Sequence, residues 1–225
     1  IDIQGDSVRV EIRLPFPLAT VREARVAALR ERIEAVEGVA RADVRLDWGV
    51  DAGEVQTDAQ RIEGIKNIIA VASAKGGVGK STTAANIALG LRAEGASVGV
   101  LDADIYGPSQ PRMLGIDGKP ESPDGKTLIP MENHGIKAMS IGFLVDPESP
   151  MIWRGPMVTK ALEQMLYNTR WRELDYLVVD LPPGTGDIQL TLVQKVPLSG
   201  AVIVTTPQDI ALLDARKGLK MFEQV

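Results

Sequence analysis

The sequence predicts an α/β fold: a doubly wound, mostly parallel sheet preceded by a small α+β domain. Three observations carry this reading. After residue 64, near-continuous apolar and β-branched runs alternate with helical stretches. A glycine-rich turn joins the first of those runs to a helix. The first 48 residues follow a different pattern, with period-two alternation on either side of one amphipathic helix. At 225 residues the chain is long enough for one sizeable α/β domain and a small appendage.

In order along the chain, "SVRVEIRL" (7–14) places Val8, Val10, Ile12 and Leu14 on one face of a half-buried strand, which Pro15 and Pro17 then stop. Thr20 is the expected N-cap of a helix whose Val26, Leu29, Ile33 and Val36 share a face, and Gly38 suits its end. "VARADVRL" (39–46) reads as a second strand. Residues 1–48 are therefore expected to form the small α+β domain. Residues 49–61 carry no sustained apolar period, so the linker is placed at 49–63 and the larger domain at 64–225.

In that domain "IKNIIAVAS" (65–73), "SVGVLDAD" (97–104), "LDYLVVDLP" (174–182) and "GAVIVTTP" (200–207) suit parallel strands buried on both faces. Helices are expected at 80–93, 157–172, 187–195 and 209–222. In the second of these, Val158, Ala161, Met165 and Leu166 share a face. "KTLIPMENHGIKAMSIG" (126–142) reads as a hairpin turning at Asn133-His134-Gly135, with His134 exposed and without a role.

Composition narrows the classes of function. No apolar window approaches the roughly 18 residues of a membrane span, and no leader pattern opens the chain, so a cytoplasmic location is expected, with no membrane partner. The chain contains no cysteine and one histidine, which rules out a disulfide or a thiolate metal site within it. A net charge of −5 with scattered Lys and Arg argues against a nucleic-acid partner. Arg22, Arg25, Arg30 and Arg32 interleave with Glu23, Glu31 and Glu34 as a solvated helix face. The start at Ile1 and the helical pattern running to Val225 read as a fragment of a longer protein.

The chemistry centres on "VASAKGGVGKSTT" (71–83). A strand, a glycine-rich turn and a helix opening at Lys80 form the setting of a phosphate-binding loop. Its glycines let consecutive N–H groups converge on phosphate oxygens, and the helix N-terminus adds positive potential. The backbone from Lys75 through Gly76, Gly77, Val78 and Gly79 to Lys80, Ser81 and Thr82 is the candidate nucleotide cradle. Lys80 reaches the β- and γ-phosphates, Ser81 coordinates Mg²⁺, and Thr82 serves the α-phosphate side. The pattern G-x-x-x-x-G-K-[ST] fails only at its first position, Ala74, a mild departure unless that residue needs φ > 0. Asp180 ends an apolar strand where a carboxylate can hold Mg²⁺, and Gly184 and Gly186 follow as a turn able to sense the γ-phosphate. Asp102 and Asp104 end another strand, one to support the Mg²⁺ shell and one to orient the attacking water.

Through these residues the chain resembles the deviant Walker A ATPases, whose loop reads K-G-G-x-G-K-[ST] and which include MinD and ParA. Within that class it is most similar to the Mrp/ApbC iron–sulfur cluster carrier ATPases, through "DADIYGPSQP" (102–111), "WRGPM" (153–157), "LDYLVVDLPPGTGD" (174–187) and "TTPQDIALLDARKG" (205–218). The resemblance covers residue 62 onward, and the N-terminal unit looks like the small domain preceding many bacterial members, without its first helix. It implies a slow ATPase coupled to loading clusters onto apo-proteins, with ATP, Mg²⁺ and a cluster as cofactors, acting as a homodimer. It gives Lys75 a role in trans on the partner subunit's nucleotide. Lys80 and Ser81 take the phosphate and Mg²⁺ roles, Asp104 the water-orienting role and Asp180 the Mg²⁺ shell. The family's C-x-x-C pair falls beyond the residues of this chain. The alternative is a MinD/ParA-like ATPase acting on a membrane or DNA. Trp153 and Arg154 read equally as sensors of the partner subunit or as a packed aromatic beside an exposed charge.

Overall fold

The computed structural model describes residues 1–54, 60–145, 155–184 and 186–223. Two compact units are present, residues 1–51 with 93–96 and residues 52–92 with 97–225.

In the first unit, β1 (Asp2–Gln4), β2 (Ser7–Leu14) and β3 (Arg41–Trp48) form a sheet in that order, with α1 (Arg22–Glu34) crossing between the two longer strands. β2 and β3 are parallel, pairing Val8 with Ala42, Val10 with Val44 and Ile12 with Leu46. The period-two pattern holds on β3, where Ala42, Val44 and Leu46 are buried and Arg41, Asp43 and Arg45 are exposed. β1 escapes sequence reading because three residues are too few to show alternation.

Two expectations about the first helix are corrected. Thr20 is not its cap: the helix begins at Arg22 after Val21 without a side-chain cap, and the Thr20 backbone N–H donates to Glu94 Oε2 at 3.1 Å. The helix start is held instead by Arg22, which donates to Leu46 O (2.7 Å) and Asp47 Oδ1 (2.8 Å) with its guanidinium over the Trp48 ring. Val26, Leu29 and Ile33 are half-buried, but Val36 lies beyond the helix end and is exposed.

The second unit is the doubly wound α/β domain. β4 (Ile65–Ala72), α2 (Lys80–Ala93), β5 (Val98–Asp102), α3 (Gln110–Met113), β6 (Met131–Asn133), β7 (Ile136–Ser140), α4 (Gly155–Tyr167), β8 (Leu174–Asp180), α5 (Asp187–Lys195), β9 (Gly200–Ile203) and α6 (Asp209–Glu223) follow in order. The sheet runs β6-β7-β5-β8-β4-β9. All neighbours are parallel except β6, which folds back on β7. Its central strands are mostly apolar and buried; Ala70, Val71, Val100, Leu177 and Val178 have essentially no exposure.

The expected hairpin is β6–β7, turning through His134 (φ 52°) and Gly135 (φ 70°), the left-handed pair that a two-residue hairpin loop requires. His134 is exposed. The helix expected over 157–172 ends earlier, at Tyr167. Buried Trp171 does not continue it but donates its indole N–H to Leu166 O at 2.9 Å, near the helix end, and Arg172 turns to φ 55° before β8. Residues 55–59 of the expected linker, and Trp153 and Arg154, lie outside the described residues.

Candidate nucleotide site

Sheet order brings the predicted residues together. β8 lies between β4 and β5, so the loop after β4 and the ends of β5 and β8 share one edge of the sheet. Asp102 and Asp180 are direct register partners. Between β4 and α2, Gly77 (φ 77°) and Gly79 (φ 90°) adopt left-handed backbone, which glycine enters without cost. A Cβ on Gly76, Gly77 or Gly79 would meet no atom within 4 Å, so the loop faces open space that can admit a phosphate chain. Ser73 Oγ donates to Lys75 O (2.9 Å), and Gly184 N donates to Ser73 O (2.8 Å), which ties the turn after β8 to the loop. Ala74 is not among the left-handed residues, so its backbone is one that alanine accepts freely.

Lys80 is buried at the first position of α2, and its Nζ is ion-paired with Asp180 Oδ1. The same Nζ lies 3.2 Å from Ser81 Oγ and 3.7 Å from Asp104 Oδ2. A buried ammonium is tolerated here because two carboxylates compensate it. Asp180 is fully buried, and its second oxygen accepts from Gln110 Nε2 at 2.8 Å. Lys80, Ser81, Asp104 and Asp180 thus form one cluster. Burial raises the Asp104 carboxyl above its ordinary value, with Lys80 pulling the other way and the Asp180 charge adding to the rise.

Asp102 sits beside this cluster but is turned away from it. Its Oδ2 accepts from Ser109 N (2.9 Å), Gln110 N (3.0 Å) and Ser140 Oγ (3.1 Å), and its Oδ1 accepts from Asp104 N (3.2 Å). Burial drives its carboxyl up to about 7, the bond from Gln110 N opposes that rise, and the neighbouring Asp180 charge adds to it. Through these bonds Asp102 organises the 104–110 segment, while the oxygens of Ser81, Asp104 and Asp180 gather around Lys80 Nζ. Hard oxygen donors of this kind, few in number and leaving room for phosphate and water, suit Mg²⁺.

Lys75 stands apart from Lys80. Its side chain is 45% exposed and lies 3.5 Å from Asp214 Oδ2 on α6. Thr82 is exposed on the first turn of α2. Sequence reading missed Gln110, Ser140 and Asp214. Ser140 had a signal, since it ends an apolar run; it is the register partner of Asp102. Gln110 lies inside the quoted "DIYGPSQP" stretch, but nothing in its sequence setting shows that an amide is buried against Asp180.

A glycine cradle on the central strand of a doubly wound sheet, closed by a buried lysine against a strand-end aspartate, defines the P-loop nucleoside triphosphatases. Comparison with known proteins narrows the class. The family described as "ParA: NUBPL iron-transfer P-loop NTPase" matches residues 64–225. An iron–sulfur cluster carrier protein of Salmonella typhimurium is 54% identical over 225 residues, 98% of this chain and 60% of that protein. One from Synechocystis is 50% identical over 229 residues, 100% of this chain and 65% of that protein. A nucleotide-binding protein of Archaeoglobus fulgidus, solved in complex with ADP, aligns with a TM-score of 0.63 at 42% identity, covering 73% of this chain and 64% of that one. The chain belongs to the NUBPL iron-transfer P-loop NTPase family. It spans 60–65% of the length of these two curated relatives.

Proposed function

We propose that the chain is the ATP-binding and ATP-hydrolysing part of an iron–sulfur cluster carrier that loads clusters onto apo-proteins. The observation that carries the nucleotide chemistry is the buried Lys80 ammonium, held between Asp180 and Asp104 at the end of a left-handed glycine loop. Phosphoryl transfer asks the protein mainly for positioning and charge compensation. In this reading the backbone N–H groups from Lys75 to Thr82 hold the phosphates, and Lys80 leaves its carboxylate partners for the β- and γ-phosphate oxygens. Ser81 and Asp180 hold Mg²⁺, which when bound neutralises charge on those oxygens. Asp104, whose side chain is largely shielded from solvent, orients the water that attacks the γ-phosphorus to give ADP and phosphate. Asp102 supports this shell through the 104–110 segment. Lys75 acts across a homodimer boundary.

The carrier function rests on the printed names of relatives at 54% and 50% identity. The cluster is cargo here. These 225 residues contain no cysteine, so thiolate ligands to it are not among them. Among the described residues no helix is long and apolar enough to cross a membrane; a cytoplasmic location is part of the proposed reading. The family match favours this reading over a membrane- or DNA-positioning ATPase. Phosphate release from Mg·ATP by the full-length protein and by its Asp104→Ala variant tests the proposal. Turnover that the substitution lowers by about a hundredfold supports it. Absence of turnover in the unsubstituted protein sinks the ATPase role.

A further inference from the structure

Gln110, like Lys80, joins all three parts of the site, and none of the roles above uses it. It is 1% exposed, at the first position of α3. Its backbone N–H is bound to Asp102 Oδ2, so its main chain is fixed to the end of β5. Its amide nitrogen spends both hydrogens, donating 2.8 Å to Asp180 Oδ2 at the end of β8 and 3.0 Å to Ser81 O in the first turn of α2. These two acceptors settle which end of the amide is nitrogen. The amide oxygen Oε1 is then buried without a protein donor, as is the neighbouring Ser109 Oγ. Buried acceptors of this kind are normally satisfied, by water where protein offers nothing.

We infer that Gln110 is a positioning residue of the nucleotide and Mg²⁺ site. Its N–H groups set the Asp180 carboxylate against Ser81, and its Oε1 is the acceptor for the hydration shell of the ion. The division of labour on Asp180 supports this. One oxygen is committed to Lys80 and the other to Gln110, so the carboxylate cannot rotate without breaking a buried, charge-assisted bond. Mg²⁺ keeps several of its waters when bound, which supplies donors for an otherwise orphaned carbonyl. A purely structural glutamine, bridging two elements to hold the fold, would need its nitrogen but would leave the Oε1 position unexplained.

The inference rests on the ATPase reading, and its test separates the two. In the full-length protein, Gln110→Met keeps the size and removes both polar atoms, while Gln110→Asn keeps an amide too short to reach Asp180 and Ser81 together. The second variant carries the test should the first fail to fold. Affinity for a fluorescent ADP analogue is titrated with EDTA and with increasing Mg²⁺, alongside kcat and KM for ATP. The expected result is metal-free affinity within about threefold of the unsubstituted protein, a Mg²⁺ requirement raised at least about tenfold, and a fall in kcat with KM nearly constant. Unchanged Mg²⁺ dependence and kcat in a folded variant would overturn the role of Gln110 and leave the ATPase reading standing. No nucleotide binding by the unsubstituted protein overturns both.

Discussion

Lys75 Nζ lies 3.5 Å from Asp214 Oδ2, an ion pair that ties the phosphate loop to helix α6 within one chain. Asp214 also holds Lys217 at 3.2 Å; the hydrogen bond from Lys217 first, and the contact with Lys75 after it, keep its carboxyl below the usual range. An ion pair this exposed is screened and contributes little to stability. Lys75 is therefore docked rather than locked, which leaves it free to take the role across a subunit boundary proposed for it.

Lys75 and Lys80 are predicted to fail differently. Lys75→Ala should lower phosphate release by about tenfold or more while nucleotide affinity stays within about threefold; Lys80→Ala should weaken affinity itself by at least about tenfold. Asp214→Asn, which frees Lys75, should move the unfolding midpoint by less than about 2 °C and leave turnover equal or higher. Phosphate-release assays and nucleotide titrations check all three.

The Lys80–Asp180 pair is buried, so removing one partner leaves an uncompensated charge. Lys80→Met alone is predicted to destabilise the protein by about 3–5 kcal/mol, and adding Asp180→Leu should recover part of that loss. Urea unfolding of the single and double variants measures the coupling. Additive losses would show that the two side chains do not depend on each other.

Backbone geometry separates Ala74 from the glycines after it. Ala74→Gly should cost about 0.4–1 kcal/mol or less through the unfolded chain and leave nucleotide affinity unchanged. Gly77→Ala and Gly79→Ala, at φ 77° and 90°, should each cost about 1–2 kcal/mol and weaken nucleotide binding, because the loop must leave its curl to relieve the side chain.

Asp102 predicts a pH signature. Its carboxyl titrates near 7 when folded and at 3.8 in its unperturbed form. Between those values the folded state holds a proton that the unfolded state has released, so stability falls as pH rises through the window. Asp102→Asn removes this titration and keeps an acceptor for the surrounding N–H groups. The stability of the Asn variant relative to the unsubstituted protein should improve from about pH 4 to about pH 7 and level off above it, as denaturant unfolding across that range would register. Parallel pH profiles would contradict the assignment.

Much of this architecture was legible in the sequence, for identifiable reasons. Strands buried on both faces, such as 65–72 and 174–180, read as long apolar runs with few polar breaks, and a glycine loop between strand and helix leaves a pattern that few other structures need. What escaped depends on contacts distant in sequence. Thr20 has the chemistry of a cap but meets Glu94 instead, and Trp171 falls within the expected helix range but bonds back to the helix end. Asp102 and Asp104 look equivalent as alternate residues of one strand end. Only the return of Ser109 and Gln110 onto Asp102 separates their tasks. Gln110 carries no sequence signal because its meaning lies in Asp180, which is 70 residues away.

The central claim is that nucleotide chemistry at Lys80 serves delivery of an iron–sulfur cluster. The most direct measurement is the rate of cluster transfer from the reconstituted full-length protein to an apo iron–sulfur acceptor, with and without Mg·ATP, for the unsubstituted protein and Lys80→Ala. The account predicts that Mg·ATP changes the transfer rate several-fold in the unsubstituted protein and leaves the variant unaffected. A protein that takes up no cluster, or whose transfer rate ignores both nucleotide and Lys80, would contradict it.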